Sequence, residues 1–423
     1  VPGGSAELDA TGCYVLPGAV DPHVHLHMPA GPYVSADDFG SGTIAAALGG
    51  TTSVIDFVEP EPGESLLSAL ARRRAQAEGA VAVDYGLHMT VPAWHAGQPE
   101  SLEALSDVLS AGVPSFKLYM AYEGFRLDDV QLLHAMRAIS AVGGLPLVHC
   151  ENGPLCDLLR AEAVARGDIS PIDHARSRPP RQEAEAVGRA IDIAALAGSR
   201  LYVVHVSCRM ALARIRRARR EGQDVYAETG PQYLLLVESL LAGPNGERLV
   251  CSPPLRTEAD HGPLWDALAS GDLDVLATDH CPFTAGEKAG HADFTTIPGG
   301  LPGVEARLSL AYHFGRQHGL SLERWVEVCC TTPARVFGLA TKGHIAIGLD
   351  ADLVVFDPQR EVTLRAGETL HERVDWSPYE GVTIRGWPRD VLSRGRVIVR
   401  RGTFVGQPGW GRFVRRERTT GCA

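Results

Sequence analysis

Apolar, β-branched runs recur along the first two-thirds of the chain, and most of them finish in polar residues. Eight stand out, at 14–20, 52–57, 83–91, 115–121, 145–150, 200–207, 224–228 and 274–279. Short apolar runs of this kind read as strands buried on both faces. The segments between most of them have a different period. Residues 36–48, 66–78, 102–111, 128–142, 182–197 and 210–221 repeat apolar positions every three or four residues among Ala, Leu, Arg and Glu, the pattern of amphipathic helices. Eight strands alternating with helices predict a parallel sheet with right-handed crossovers, closed into a TIM-like (β/α)8 barrel. An open doubly wound sheet is the competing topology. No GxGxxG follows the first strand, which removes the fingerprint of a dinucleotide-binding version.

Two more helices are predicted at 304–318 and 322–338, and after Thr341 the texture changes. Short strands at 345–348, 352–357, 382–385, 391–392 and 396–404, separated by Gly, Asp and Pro turns, describe a separate β-module. The organisation expected is a remnant of that module at 1–17, a barrel at 18–340, a β-sandwich module at 341–413 and a tail at 414–423. The tail holds Arg412, Arg415, Arg416 and Arg418 at or near it and reads as solvated.

Composition narrows the partners. Hydrophobic residues make up 45% and charged residues 22%, which excludes a disordered chain. Forty Lys and Arg against 51 Asp and Glu give a net charge of −11 with no dense basic stripe, so nucleic acid is not an expected partner. No apolar stretch approaches the length of a membrane span. Nine cysteines, none spaced as CxxC, argue against a disulfide scaffold or zinc ribbon and suggest a reducing compartment. The opening VPGGSAELDATG has no basic stretch leading into an apolar run, so no secretory leader is predicted and the location expected is cytoplasmic. It also lacks Met, which suggests processing or an incomplete start.

In a closed barrel, residues at the C-terminal strand ends converge on one mouth. His23 and His25 follow strand one in DPHVHLH, Lys117 lies on strand four in SFKLYMAY, His149 ends strand five, His205 ends strand six and Asp279 ends strand eight. Extended His-X-His places both imidazoles on one face. Each residue alone has an ordinary reading, as a packed histidine or a turn-capping aspartate. Together, on the correct ends of separate strands, they describe a metal site. Lys117 is the odd member, since an ammonium cannot bind a metal and is costly beside cations. Burial favours the neutral amine, which can add carbon dioxide to form an anionic carbamate able to bridge two metals; a salt-bridged lysine is the ordinary alternative. His27 shares the face of His25 and reads as a mouth residue. His88 and His280 could orient a ligand or simply pack, and Cys150, Cys208 and Cys281 read as small buried fillers.

DPHVHLHMP, SADDFGSGTIAAALGGTTSVIDF, SFKLYMAY, VHCENG, YVVHVSC, ETGPQYL, CSPPLR, GDLDVLATDHCPF, IPGGLPGVEARL, ADLVVFDP and GQPGWGRF, in this order, resemble the cyclic amidohydrolases of the dihydropyrimidinase and D-hydantoinase family. The resemblance runs from about Asp9 to Phe413. It implies ring-opening hydrolysis of dihydropyrimidines or 5-substituted hydantoins to N-carbamoyl amino acids, at a binuclear centre that is usually zinc. His23, His25 and Asp279 would bind one metal, His149 and His205 the other, and carboxylated Lys117 would bridge both. A hydroxide shared by the metals would attack the ring carbonyl, Asp279 would move its proton to the leaving nitrogen, and Tyr122 would stabilise the oxyanion. The family holds the substrate's amide edge through backbone groups at the positions of Ser252 and Gly299. Many relatives carry Asn where Gly299 stands, so side-chain support there is absent. Met28, Ala30, Tyr33 and Phe125 match loops that cover the exocyclic substituent.

The same resemblance implies a homotetramer, with dimers also occurring. Relatives carry a few dozen residues ahead of this start that add strands to the β-module, so the module is expected to be partial, with open strand edges. Dihydroorotase relatives have Arg where His27 stands, and SFKLYMAY and CSPPLR point away from allantoinases. Non-catalytic cytoskeletal adaptors of this fold have lost metal ligands, whereas all six are present here.

Overall fold

The computed structural model describes residues 7–93, 95 and 101–418. Eight parallel strands run in chain order around a barrel: β2 (Ala19–Val24), β3 (Thr51–Val58), β4 (Asp84–Thr90), β5 (Ser115–Tyr119), β6 (Leu145–His149), β7 (Leu201–Val203), β8 (Val225–Thr229) and β9 (Val275–Leu276), while β1 (Tyr14–Pro17) lies outside it. A bridge between Val24 and His280 closes the ring from first strand to last. Every residue of β3, β4, β5 and β6 is buried, as strands walled by side chains inside and helices outside require. Asp21 secures the seam. Its carboxylate accepts from the Thr278 hydroxyl at 2.7 Å and the Thr278 N–H at 3.2 Å, and it pairs with fully buried Arg307 at 3.5 Å.

The outer helices start where local chemistry supplies a cap. Asp38 and Ser41 form a reciprocal capping box for Phe39–Leu48, and Asp128 and Gln131 do the same for Asp129–Ala141. Asn152, directly after the fifth barrel strand, caps Gly153–Arg166, a helix with no counterpart among the predicted segments. Its Leu155 and Leu158 are exposed, so no clean apolar stripe marks it in the sequence. The predicted helix at 322–338 is three pieces, with a π turn at Glu327–Thr331 between Leu322–Val326 and Thr332–Val336.

The termini build one antiparallel sheet of five strands, in the order β1, β10 (Leu353–Thr363), β11 (Thr383–Ser393), β12 (Arg396–Arg400) and β13 (Thr403–Phe404). Tyr14 pairs with Phe356 and Pro17 with Leu353. The single strand expected at 14–20 is therefore two, divided at Gly18 between the two sheets. A Cβ at Gly18 would lie 2.0 Å from the Thr52 hydroxyl, so only glycine lets the chain cross there. Residues 345–348 turn rather than extend, and the two strands expected at 382–385 and 391–392 are one. The segment between β10 and β11 adds a core of its own, in which Trp376 and Tyr379 cluster with Trp387 of β11, with Leu255 and Leu301 of the barrel's upper loops and with Leu310 of the helix Arg307–Gln317.

The Arg-rich end is not simply a solvated tail. Tyr85 N–H donates to Arg412 O and Val414 N–H to Tyr85 O, so the chain runs along the barrel floor. Arg416 is buried there and donates to Leu87 O and, at 2.9 Å, to the Ser115 hydroxyl. Residues 1–6 of the expected remnant and 419–423 of the expected tail lie outside the described residues.

Candidate active site

The mouth of the barrel opens into a cavity of about 740 Å³ lined by His23, His25, Lys117, His149, His205 and Asp279. The six come from five barrel strands or the turns that follow them, His23 and His25 sharing one, and three are joined directly. Asp279 Oδ1 lies 3.0 Å from His23 Nε2 and 3.1 Å from His25 Nε2, and the ligand atoms of this trio fall within 4.8 Å of one another. The trio is a candidate metal site. Opposite it, His149 Nδ1 and His205 Nε2 approach to 2.8 Å. Phe57 forms a floor beneath both halves of His-X-His, its ring centroid 4.8 Å from His23 and 4.7 Å from His25.

Neighbouring acids decide which nitrogen of each imidazole faces the centre. Glu228 contacts His23 Nδ1 and also accepts from the His205 N–H at 3.2 Å and the Tyr202 hydroxyl at 2.7 Å. Glu151 accepts from His149 Nε2 at 2.9 Å, which leaves the Nδ1 lone pair directed at His205. Arg178 and Gln182 hold Glu151 in turn, at 2.6 and 2.9 Å. The sequence reading passes over Glu228 and Glu151. Their signal was present, since one ends the seventh barrel strand and the other follows His149 by two residues in HCENG.

The electrostatics favour a bound cation. Burial lowers the pKa values of His149 and His205, so both imidazoles stay neutral with lone pairs free. Burial alone would raise Asp279, but His23 and His25 hold it well below the usual carboxylate range. His23 goes the other way. Against its burial, Asp279 and Glu228 pull its pKa up to about 9, because two carboxylates flank the one imidazole. A divalent ion would relieve that imbalance, and neutral imidazoles with a carboxylate are the donor set zinc-type ions take. Lys117 is 1% exposed, and its Nζ sits over the rings of Phe57 and Tyr119 at 5.1 and 5.2 Å. Burial lowers its pKa to about 8, with Asp279 and Glu228 opposing.

Backbone strain concentrates here. Tyr122, His205 and Asp279 have φ of 70°, 40° and 55°, a region non-glycine residues seldom occupy. Tyr122, Ser252 and Gly299 line the same cavity, as do Met28, Ala30, Tyr33 and Phe125. His27 is exposed and lies off the lining. His88 is bound beneath the site to the Ser115 hydroxyl at 2.6 Å and Pro22 O at 2.9 Å, and His280 pairs with Asp37 at 3.1 Å. Glu59, also passed over in the sequence, lines the wall and accepts from the Tyr119 hydroxyl at 3.2 Å. Arg256 of CSPPLR is buried and joins Glu183 at 2.7 Å to the Ser207 hydroxyl at 2.8 Å, which fixes the loop after strand β7.

A barrel with histidines after its first, fifth and sixth strands and an aspartate after its eighth defines a class, and the chain belongs to it: residues 14–398 match the amidohydrolase family. Within that class the chain is 46% identical over 423 residues to a D-hydantoinase of Geobacillus stearothermophilus, covering 98% of this chain and 89% of the relative. A D-hydantoinase of Streptomyces coelicolor is also 46% identical, over 97% of this chain and 88% of the relative. The crystal structure of a dihydropyrimidinase from Brevibacillus agri superposes with a TM-score of 0.96 at 44% identity, covering 99% of this chain and 92% of the other.

Proposed function

We propose that this chain hydrolyses the cyclic amide bond of dihydropyrimidines or 5-substituted hydantoins, giving N-carbamoyl amino acids. The observation that carries the reading is the convergence of His23, His25 and Asp279 opposite His149 and His205 in one cavity, in a chain this similar to hydantoinases. His23, His25 and Asp279 would hold one divalent ion and His149 and His205 a second, with zinc the ion proposed and Lys117, carboxylated by carbon dioxide, as the anionic bridge. Bound there, such ions supply Lewis acidity and bring the pKa of water toward 7.

The protein groups then have separate tasks. Asp279, kept ionised by its histidines, accepts the proton of the attacking water and returns it to the ring nitrogen as the C–N bond breaks. Tyr122 is 39% exposed, but desolvation at the cavity wall and the Glu151 carboxylate raise its pKa, so its hydroxyl stays protonated and donates to the carbonyl oxygen as negative charge develops. The backbone at Ser252 and Gly299 receives the amide edge of the ring. Met28, Ala30, Tyr33 and Phe125 wall the exocyclic substituent. The assembly proposed is a homotetramer, with a dimer the alternative that sedimentation would reveal, and the compartment proposed is the cytoplasm.

Protein loaded with zinc and bicarbonate is expected to open dihydrouracil, a 5-monosubstituted hydantoin, or both, and to leave allantoin intact. Turnover of allantoin alone would replace this reading with an allantoinase, a full metal complement with no turnover of any of the three would point to a different cyclic amide, and failure to bind metal together with no turnover would favour a scaffold role. Lys117→Ala is expected to lose metal and activity together, with partial rescue by short carboxylic acids. Full metal content and rate in that variant would remove the bridge.

A further inference from the structure

We infer that Lys288 is a positioning residue that locks the two substrate-facing stretches of backbone, at Ser252 and at Gly299, into one fixed relation; this rests on the function proposed above. Lys288 is fully buried, yet its Nζ meets two main-chain carbonyls, Val250 O at 2.9 Å and Pro298 O at 2.8 Å. Those carbonyls belong to different loops. Val250 lies two residues before Ser252 in the loop that follows strand β8, and Pro298 immediately precedes Gly299 in the loop that follows strand β9. Val250, Ser252, Pro298 and Gly299 all line the cavity. One backbone bond, from the Gly300 N–H to Val250 O at 3.0 Å, crosses the same seam.

Other buried donors take up the neighbouring carbonyls. His174 Nε2 donates to Cys251 O at 2.8 Å and the Tyr233 hydroxyl to Pro253 O at 2.8 Å. The main-chain N–H and C=O of Ser252 and of Gly299 are left without an intramolecular hydrogen bond among the described residues. These are the groups the proposed function assigns to the ring's amide edge. Two loops must therefore present unpaired amides to one small ring, and the gap between them is set by that backbone bond together with the span of the Lys288 side chain. Burying an amine is costly, and an apolar residue of equal length would bury more cheaply. Burial pushes the Lys288 pKa down to about 7, and a neutral amine carries two N–H bonds, one for each carbonyl it meets. Precision of this kind matters, since misplacement by about 1 Å can cost about 10²-fold in rate.

The test is Lys288→Met in the full chain, loaded with zinc and bicarbonate. Methionine keeps the length and removes both donors. The expected result is a Michaelis constant for dihydrouracil or the hydantoin raised by about tenfold or more, with turnover changed less and metal content equal to wild type, because the contacts at stake hold substrate and transition state alike. Lys288→Gln, which keeps an N–H donor on a shorter arm, is expected to fall between the two and carries the test if the methionine variant does not fold. A lowered melting temperature with an unmoved Michaelis constant would reduce Lys288 to a structural residue and overturn the inference. Absence of turnover by the wild type on both rings would overturn the proposed function itself, and the inference with it.

Discussion

Glu228 shows how a single side chain can govern a site it does not enter. It touches the His23 ring, the His205 backbone and the Tyr202 hydroxyl, so it fixes one histidine on each side of the cavity. Glu228→Gln keeps the shape but weakens the acceptor that sets the His23 tautomer. Metal affinity is expected to fall about 10–100-fold, measured by competition with a chelator, with the fold intact by circular dichroism. Tyr122→Phe separates chemistry from metal binding. Turnover is expected to drop by about 10²–10³-fold with metal content unchanged, the size expected for one oxyanion donor. Metal loss in that variant would mean that the tyrosine shapes the site rather than serving the reaction.

Among the elements, the barrel depends on the closure between its first and last strands. β9 is only two residues long, and a two-residue strand supplies little hydrogen bonding to hold a ring shut. Asp21 compensates through Thr278 and Arg307, all three buried. Asp21→Ala would leave the Arg307 guanidinium buried without its carboxylate. The expected cost is about 3–5 kcal/mol, read from the midpoint and slope of urea denaturation. An unchanged midpoint would show that the loops, not this seam, close the ring. The same element scale explains what the periodicity predicted well. Segments such as 128–142 carry both an apolar stripe and a capping aspartate, and helix Asp129–Ala141 ends within a residue of the expected bounds. Strand β1 was joined to β2 in one expected run because its residues are as apolar as those of β2.

For the whole molecule, the decisive contact lies under the barrel. Lys342 reaches Asp84 at 2.6 Å and Asp352 at 2.7 Å, joining the start of a barrel strand to the start of the terminal sheet. Burial would lower the Lys342 pKa, but Asp352 and Asp84 raise it above the usual 10.5. A raised lysine pKa contributes stability in full below 10.5, and that contribution fades as pH rises through the higher folded value. Wild type is therefore expected to lose stability above pH 10.5 more steeply than Lys342→Met, while at neutral pH the variant is already weaker by about 3–5 kcal/mol. Parallel pH slopes for the two proteins in thermal melts would contradict that assignment.

Strand and helix periods, and the polar residues that end the strands, were determined by the sequence alone. Both depend on side chains a few positions apart, so they announce the barrel and the six candidate ligands without any knowledge of long-range contacts. Tertiary structure decided what distant segments do to each other. Glu228 became an orienting acid only when strands seven and one met, Glu151 was held against its near neighbour His149 only once Arg178 and Gln182 folded onto it, and Glu59 became a cavity wall only beside Tyr119. The Arg-rich end became a floor because Arg416 found carbonyl and hydroxyl acceptors beneath β4 and β5, partners more than 300 residues away. Lys288, an ordinary lysine in a polar loop by sequence, became a clasp because two loops from neighbouring strand ends closed over it and left it no water. A local pattern carries no information about which buried group a remote carbonyl will meet, and that is where sequence reading stopped.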